Sequence, residues 1–225
     1  MLKADLHIHT EYSPDCNTSL EKIIKRCKEL GINCIAVADH GTAEGALKMK
    51  KLAPFRVIVA EEILTTQGEI MGMFLKETIP SGLTPGETIK RIKAQGGLVN
   101  IPHPFETIRG SALKEWCLEE IHEEIDLMEV LNSRSPFPAN SNKARAFAEK
   151  YGIVMGAGSD AHTTYEIGHA YVEMSEFGTP QEFLKSLSLG VIRGRRSSPA
   201  LKMFSAWAKI KNRVFRRRAK AGRRV

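Results

Sequence analysis

The stretch DLHIHTEYSPD, residues 5–15, places His7 and His9 two positions apart in a run that is typical of a β-strand. Side chains at positions i and i+2 of a strand point to the same face, so both imidazoles could hold one metal ion. The pair could equally belong to a polar strand end without a metal. Its meaning depends on whether other segments bring ligands to the same place.

Five later apolar runs also end in side chains that can bind metals or transfer protons. A single acid or histidine at a strand end usually caps a loop. Many such groups crowded at one place would be costly to bury unless cations or hydrogen bonds compensate them, so the joint pattern favours a metal centre. The residues are Asp39, His40, Glu61, Glu62, His103, Glu129, Asn132, Asp160 and His162.

The elements that must position these groups alternate between strand and helix patterns, which predicts an α/β fold. Capping boxes at Thr84 and Thr179 and a Gly31 stop signal mark helix ends. The predicted strands are ADLHIH, NCIAVADH, RVIVAEEI, EIMGMFL, GLVNIPH, EIDLMEVLN, GIVMGAGSD and HAYVEM. The predicted helices are SLEKIIKRCKEL, TAEGALKMKKL, TPGETIKRIKAQ, SALKEWCLEEIHEE, NSNKARAFAEKY and TPQEFLKSLSLG. Polar groups at the strand ends favour a TIM-type (β/α) barrel over a doubly wound sheet.

Composition restricts the class of protein further. The 225 residues carry a net charge of +7, and no run approaches the roughly 20 apolar residues of a transmembrane helix. No secretory signal is recognised at the start, and the four cysteines lack metal or disulfide spacing. We therefore expect a cytoplasmic globular protein with reduced cysteines and no transmembrane segment.

Five motifs resemble, in order and spacing, those of the PHP (polymerase and histidinol phosphatase) domain superfamily. They are DLHIHTEYSPD, ADHGTAEG, EEILTTQGEI, IPHPF and GSDAH. The resemblance covers about residues 3–196. It implies a distorted seven-stranded (β/α) barrel with two or three divalent ions, Mn, Fe or Zn, at its mouth, acting on phosphoesters.

The resemblance also implies a division of the ligands. His7 and His9 would bind one ion together with Asp160, and Glu62 would bridge to a second ion held by His103. A third ion would lie among Asp15, His40 and His162. Some family members supply one more histidine where this chain has EVLN, so Glu129 or Asn132 would replace that ligand or bind substrate.

The expected reaction is phosphoester hydrolysis, of phosphatase or exonuclease type, by attack of a metal-bridging hydroxide. His162 and His40 would act near the leaving group, and Arg134 would assist catalysis. Arg109, Arg134 and Asn132 would contact a phosphorylated small molecule, a nucleotide or an oligonucleotide. Alternatives are a histidinol-phosphate phosphatase, an amidohydrolase-like metal hydrolase and a non-enzymatic, metal-stabilised nucleic-acid-binding scaffold.

The last 28 residues differ from the rest in charge. Residues 198–225 contain ten Lys or Arg and no Asp or Glu, with an apolar stripe formed by Met203, Trp207, Ile210 and Val214. We therefore divide the chain into a barrel, residues 1–197, and a basic amphipathic tail, residues 198–225. The tail could contact RNA or an anionic membrane, or dock on the barrel.

Overall fold

The computed structural model describes residues 1–106, 108 and 110–197, so Arg109 and the basic tail lie outside the described residues. All eight predicted strands form, with helices at the six predicted places, and a ninth strand follows the last helix. The strands are β1 (Leu2–Ile8), β2 (Cys34–His40), β3 (Arg56–Thr65), β4 (Gly68–Met73), β5 (Leu98–Ile101), β6 (Leu127–Asn132), β7 (Val154–Gly158), β8 (Ala170–Met174) and β9 (Val191–Gly194). The helices are α1 (Leu20–Leu30), α2 (Glu44–Leu52), α3 (Pro85–Ala94), α4 (Glu115–Glu120), α5 (Pro138–Tyr151) and α6 (Pro180–Ser188), with a 3-10 turn at His122–Glu124.

Helix ends coincide with the start and stop signals of the sequence. The hydroxyl of Thr84 accepts a hydrogen bond from the backbone N–H of Glu87, and the Glu87 carboxylate accepts one from the backbone of Thr84. Thr179 and Glu182 form the same box at α6. Gly31 ends α1 at φ 68°, in the left-handed region that glycine enters without a Cβ penalty.

The strands form one sheet in the order β7-β6-β5-β4-β3-β2-β1-β8-β9. Beyond β7 the sheet curls back onto β1. There the backbone N–H of His9 donates to the carbonyl of Ala161 at 2.9 Å, and the N–H of Ala161 donates to His7 at 3.3 Å. The sheet is therefore a nearly closed barrel, and the α/β barrel class is confirmed.

Within the described residues the sheet has nine strands, two more than the seven of the expected barrel. Strands β1 to β7 surround the barrel, and β8 and β9 add an antiparallel ribbon to the first half of β1. Strand β4 is also antiparallel to both neighbours, because only the short turn Thr66–Gln67 separates it from β3. A parallel strand would need a crossover of a dozen or more residues.

One apolar layer lies inside the barrel sheet and a second lies between the sheet and the surrounding helices. Inside the barrel lie small residues such as Ala36, Ala38 and Ala60, joined by Phe183 and Leu187 of α6. Outside, the helices pack their apolar faces on alternate strand residues. The narrow, filled interior leaves the polar groups at the carboxyl ends of the strands as the place where chemistry can occur.

Two β-bulges direct side chains toward this mouth. The register between β1 and β2 shifts between Asp5 and Ile8, and the register between β6 and β7 shifts between Glu129 and Leu131. Each bulge inserts one extra residue, which interrupts strict alternation of faces. In β1, Leu6 therefore joins the inner apolar layer while His7, the next residue, reaches the mouth.

Candidate metal centre

His7 and His9 are both buried, and their Nε2 atoms lie 3.1 Å apart. Two nitrogens that bind one ion at about 2.1 Å with near-tetrahedral angles stand about 3.4 Å apart. The two imidazoles thus have nearly the separation that a shared ion requires.

The carboxylate of Glu62 lies at the centre of four imidazoles. Its Oε2 atom is 3.5 Å from His7 Nε2, 3.4 Å from His9 Nε2 and 3.2 Å from His40 Nδ1. Its Oε1 atom is 2.7 Å from His103 Nε2. A carboxylate with imidazoles on both oxygens is arranged as a bridge between two cations would be.

Asp160 closes the inner side of the cluster. Its Oδ1 atom lies 3.4 Å from His9 Nε2 and 3.9 Å from His7 Nε2. Asp160 and His103 have φ angles of 55° and 31°, a region that non-glycine residues seldom occupy. Such strained backbone is held by the surrounding structure and concentrates at functional sites.

Asp15, His40 and His162 form the outer side of the cluster. Asp15 Oδ2 lies 3.4 Å from His40 Nε2, and its Oδ1 lies 3.4 Å from His162 Nε2. The hydroxyl of Ser13 donates to Asp15 Oδ1 at 2.8 Å and fixes the loop after β1. The His40 side chain is 27% exposed, so this side of the cluster can be reached from solvent.

Glu69 is a further candidate ligand that the sequence reasoning missed. Its Oε1 atom is 3.5 Å from His40 Nδ1, and its Oε2 is 3.8 Å from His103 Nε2. The short turn before Gly68 could have indicated it. This turn pairs Glu69 with Leu64, which lies on the same face of β3 as Glu62, two residues away. Burial and the charge of Glu62 raise the pKa of Glu69.

The electrostatics of the cluster favour a bound cation. Burial alone would lower the pKa values of His7 and His40, but carboxylates around them raise both, that of His40 to about 10. Burial and the neighbouring His162 lower the pKa of His9 to about 3. Burial would raise the pKa of Glu62, whereas His40 and His7 hold it well below the usual range. Glu62 and His9 therefore favour the deprotonated forms that bind metals.

An orphaned carboxylate oxygen tests whether these residues fit metal ions. Glu62 Oε2, which faces three imidazole nitrogens, is buried and makes no hydrogen bond within the described part of the chain. Buried polar atoms of this kind are costly unless another partner satisfies them. The imidazole and carboxylate donors therefore fit divalent ions such as Mn²⁺, Fe²⁺ or Zn²⁺.

The ligand atoms fall into three overlapping groups, each with its atoms within 4.8 Å of one another. This grouping differs from the predicted division in two ways. His9 belongs both to the group of His7 and to the group of Asp15, and Glu69 forms a group with His40 and Glu62. The ligand role of each residue stays a prediction. The groups are His9, Asp15, His40 and His162; His7, His9 and Glu62; and His40, Glu62 and Glu69.

Glu129 and Asn132 hold other members of the cluster in place. Glu129 Oε1 lies 3.2 Å from His7 Nδ1, and its Oε2 accepts from the backbone N–H of His103 at 2.7 Å. Asn132 Nδ2 donates to Glu129 at 2.8 Å and to Asp160 at 3.2 Å. The role of Asn132 in substrate binding stays a prediction, and its amide nitrogen is engaged by two carboxylates.

Arg134 is buried beside the cluster. Its Nη1 atom donates to His162 Nδ1 at 2.5 Å, and its Nε lies 3.3 Å from Glu166 Oε1. The other oxygen of Glu166 accepts from the backbone N–H groups of His162 and Thr163, both at 3.0 Å. Glu166, which the sequence reasoning missed, thus ties Arg134 to the segment that carries His162.

Glu61 points away from the cluster, as strand alternation predicts. Its Oε2 atom accepts a hydrogen bond from the backbone N–H of Ile79 at 2.9 Å, and burial raises its pKa to about 7. Two adjacent glutamates of β3 therefore occupy two different environments. Glu61 belongs to the packing of a loop, whereas Glu62 belongs to the cluster.

Comparison with known proteins agrees with this geometry. Residues 5–67 match the family model of the PHP domain, and residues 138–192 match that of a PHP-associated segment. Uncharacterized protein MJ0417 of Methanocaldococcus jannaschii is 35% identical over 199 residues, which are 84% of this chain and 80% of that protein. Ribonuclease P protein component 3 of Methanococcoides burtonii is 31% identical over 115 residues, 48% of this chain and 46% of that protein.

Among solved structures, the fold is similar to a two-domain protein of Bacteroides vulgatus that contains a PHP-like metal-dependent phosphoesterase. The TM-score is 0.67 at 16% identity, over 92% of this chain and 69% of that one. None of the described helices is long and apolar enough to cross a membrane.

Proposed function

The chain belongs to the PHP family, and from that we propose that it is a metal-dependent hydrolase of phosphoesters. The observation that carries the proposal is the position of Glu62, whose two oxygens face four imidazoles inside a buried cluster. Such a carboxylate suits a bridging ligand between two cations 3.5 to 4 Å apart, the arrangement known from phosphoester hydrolases.

The residues that would hold two or three ions are the eight ligands expected from the sequence, together with Glu69, which the geometry adds. When bound, the ions would lower the pKa of water and neutralise the oxygens of a phosphoryl group. Their identity among Mn, Fe and Zn is left open. The proposed ligands are His7, His9, Asp15, His40, Glu62, Glu69, His103, Asp160 and His162.

Arg134 is the side chain best suited to meet a phosphate oxygen. A guanidinium offers five N–H donors, so Arg134 can keep its contact with His162 and still donate to a ligand. His162 Nδ1 lies 2.5 Å from Arg134 Nη1 and 2.9 Å from the carbonyl oxygen of Asp160, and its Nε2 faces Asp15 on the outer side. If either ring is not bound to an ion, His162 or the partly exposed His40 would supply the proton that a leaving group needs.

The proposed substrates are nucleotides or oligonucleotides, with histidinol phosphate as the alternative. The ribonuclease P component named above supports an RNA link, although it shares less than half of its length with this chain. The ten cations of residues 198–225 would attract phosphates electrostatically. That tail remains a sequence-based prediction.

The two glutamates of β3 provide a matched test. We expect Glu62→Gln to lower kcat/KM for phosphoester hydrolysis at least 100-fold and to reduce bound Mn²⁺, because it removes the negative charge and one of the two oxygens of the bridge. Glu61→Gln preserves the acceptor for Ile79 and should stay within a few-fold of the wild type. Substrates should include phosphomonoesters, nucleoside bisphosphates, short RNAs and an amide.

Two results would contradict the proposal. One is the absence of hydrolysis of every phosphoester while the amide is cleaved. The other is equal behaviour of the Glu61 and Glu62 variants in both turnover and metal content.

A further inference from the structure

A second polar cavity lies beside the segment that follows His162. It measures about 430 Å³ and opens over the outer face of β1, β8 and β9, with the end of α1 on one side. Pockets of roughly 300 to 1,000 Å³ accommodate ligands of nucleotide size. This cavity, which we call the basic groove, contains none of the candidate metal ligands.

Four cations line the basic groove: Lys3, Arg26, Arg193 and Arg195. Two carboxylates offset part of this charge, since Glu29 pairs with Arg26 at 3.1 Å and Glu173 pairs with Arg193 at 3.2 Å. Arg195 donates to the neutral ring of His169, Nη2 to Nε2 at 3.1 Å. Within the described residues the groove therefore retains a surplus of about two positive charges, which suits an anionic ligand.

Aromatic and apolar surfaces stand between these cations. The ring of Tyr171 is half-buried in the groove, and the ammonium of Lys3 lies 5.9 Å from its centroid. Leu30, Ile32 and Ile167 complete the lining. A charged groove with an aromatic ring is the combination that binds single-stranded nucleic acids, because phosphates meet cations and bases stack on rings.

The cations are spread along the groove. Strand β8 lies between β1, which carries Lys3, and β9, which carries Arg193. Two inter-strand spacings of about 4.8 Å and an offset of two residues along β9 place the backbones of these residues about 12 Å apart. Such a spread suits successive phosphates better than one isolated phosphate ion.

The groove adjoins the metal centre through the end of β9. Arg195 lines the groove, and two residues later the backbone N–H of Ser197 donates to the carbonyl of Ser133 at 2.6 Å. Ser133 lies directly before Arg134. Two residues span at most about 7 Å, so Arg195 in the groove lies close to the segment that carries Arg134.

We propose that the basic groove binds the phosphodiester backbone of a single-stranded oligonucleotide whose scissile phosphate lies at the metal centre. The inference rests on the proposed phosphoester hydrolysis and adds a substrate class to it. It assigns Lys3, Arg26, Arg193 and Arg195 to the backbone and Tyr171 to a base. A substrate with a single phosphate would leave the groove unused.

Binding without turnover tests the groove separately from hydrolysis. The affinity of the full-length chain for a fluorescein-labelled RNA hexamer is measured by anisotropy in EDTA at several salt concentrations. We expect the double variant Lys3→Glu/Arg195→Glu to bind at least tenfold more weakly. The slope of log affinity against log salt should fall by about two, since each lost phosphate contact removes close to one unit.

The double variant Lys51→Glu/Lys90→Glu is the matched control, because it makes the same change in net charge at exposed positions outside the groove. It should bind within about twofold of the wild type. Equal weakening of the two double variants, or no binding by the wild type, would overturn the proposal. A wild type that binds RNA through the groove but hydrolyses no phosphoester would contradict the hydrolase proposal instead.

Discussion

At the scale of single residues, Glu129 positions two proposed metal ligands, His7 and His103, through contacts of its own carboxylate. One of its oxygens faces His7 Nδ1, and the other holds the backbone of His103 through an N–H. An acidic partner on the far nitrogen of a ligating histidine fixes the ring and makes it a better donor. Burial alone would lower the pKa of His7, but Glu129 is foremost among the carboxylates that raise it.

We therefore expect Glu129→Gln to weaken metal binding by about 10- to 100-fold, the usual effect of losing such a partner. Isothermal titration with Mn²⁺ measures the affinity, and circular dichroism checks the fold. The exposed Glu123→Gln variant is the control and should bind as the wild type does. Unchanged affinity in Glu129→Gln would show that His7 is positioned without this contact.

At the scale of elements, α6 stabilises the barrel although it lies late in the chain, because its apolar side chains join the inner apolar layer. Its Phe183 is fully buried and packs edge to face against Phe177 and Phe74, with ring centroids 5.1 and 5.2 Å away. Aromatic pairs of this geometry add stability beyond the area they bury. A capping box fixes the start of α6, so local signals and tertiary packing agree on its position.

Replacing Phe183 with alanine should lower the free energy of unfolding by about 3 to 5 kcal/mol, because the core closes only partly around the space left behind. Urea unfolding followed by circular dichroism measures the change. Leu189, one residue beyond α6 and 79% exposed, supplies the control, and Leu189→Ala should cost less than about 0.5 kcal/mol. Similar losses in both variants would mean that α6 contributes little to the core.

At the scale of the whole molecule, the sheet uses both sides of β1. The first half of β1 pairs with β8, and its end meets the segment after β7 through Ile8 and Ala161. The candidate metal centre therefore lies where the barrel closes, and the basic groove lies where the extra ribbon begins. One strand positions both sites.

The reactivity of the four cysteines can be used to follow unfolding of the whole protein. All four are buried and free, and burial raises the pKa of Cys16, Cys27 and Cys34 to about 12. Since the thiolate is the reactive form, we expect a thiol reagent at pH 8 to modify the native protein very slowly. In denaturing urea all four should react within minutes. Rapid reaction of any of these thiols in the native protein would show local opening at that site.

Much of the fold can be read from the amino-acid order. Strands and helices follow from local periodicity, capping boxes and glycine stops, which act within a few residues. The same reading predicted that His7, His9, Glu62 and Asp160 would lie together, because the carboxyl ends of barrel strands meet at one mouth. It also separated Glu62 from Glu61, since alternation along β3 is a local property.

The remainder depended on contacts between distant parts of the chain. Glu69 enters the cluster only because β4 folds back on β3, and Glu166 matters only because its carboxylate reaches Arg134. The bulges in β1 and β6, the ninth strand and the basic groove likewise arise from pairing and closure of the sheet. Such features are set by a balance of packing and register across the barrel, so only the tertiary structure could decide them.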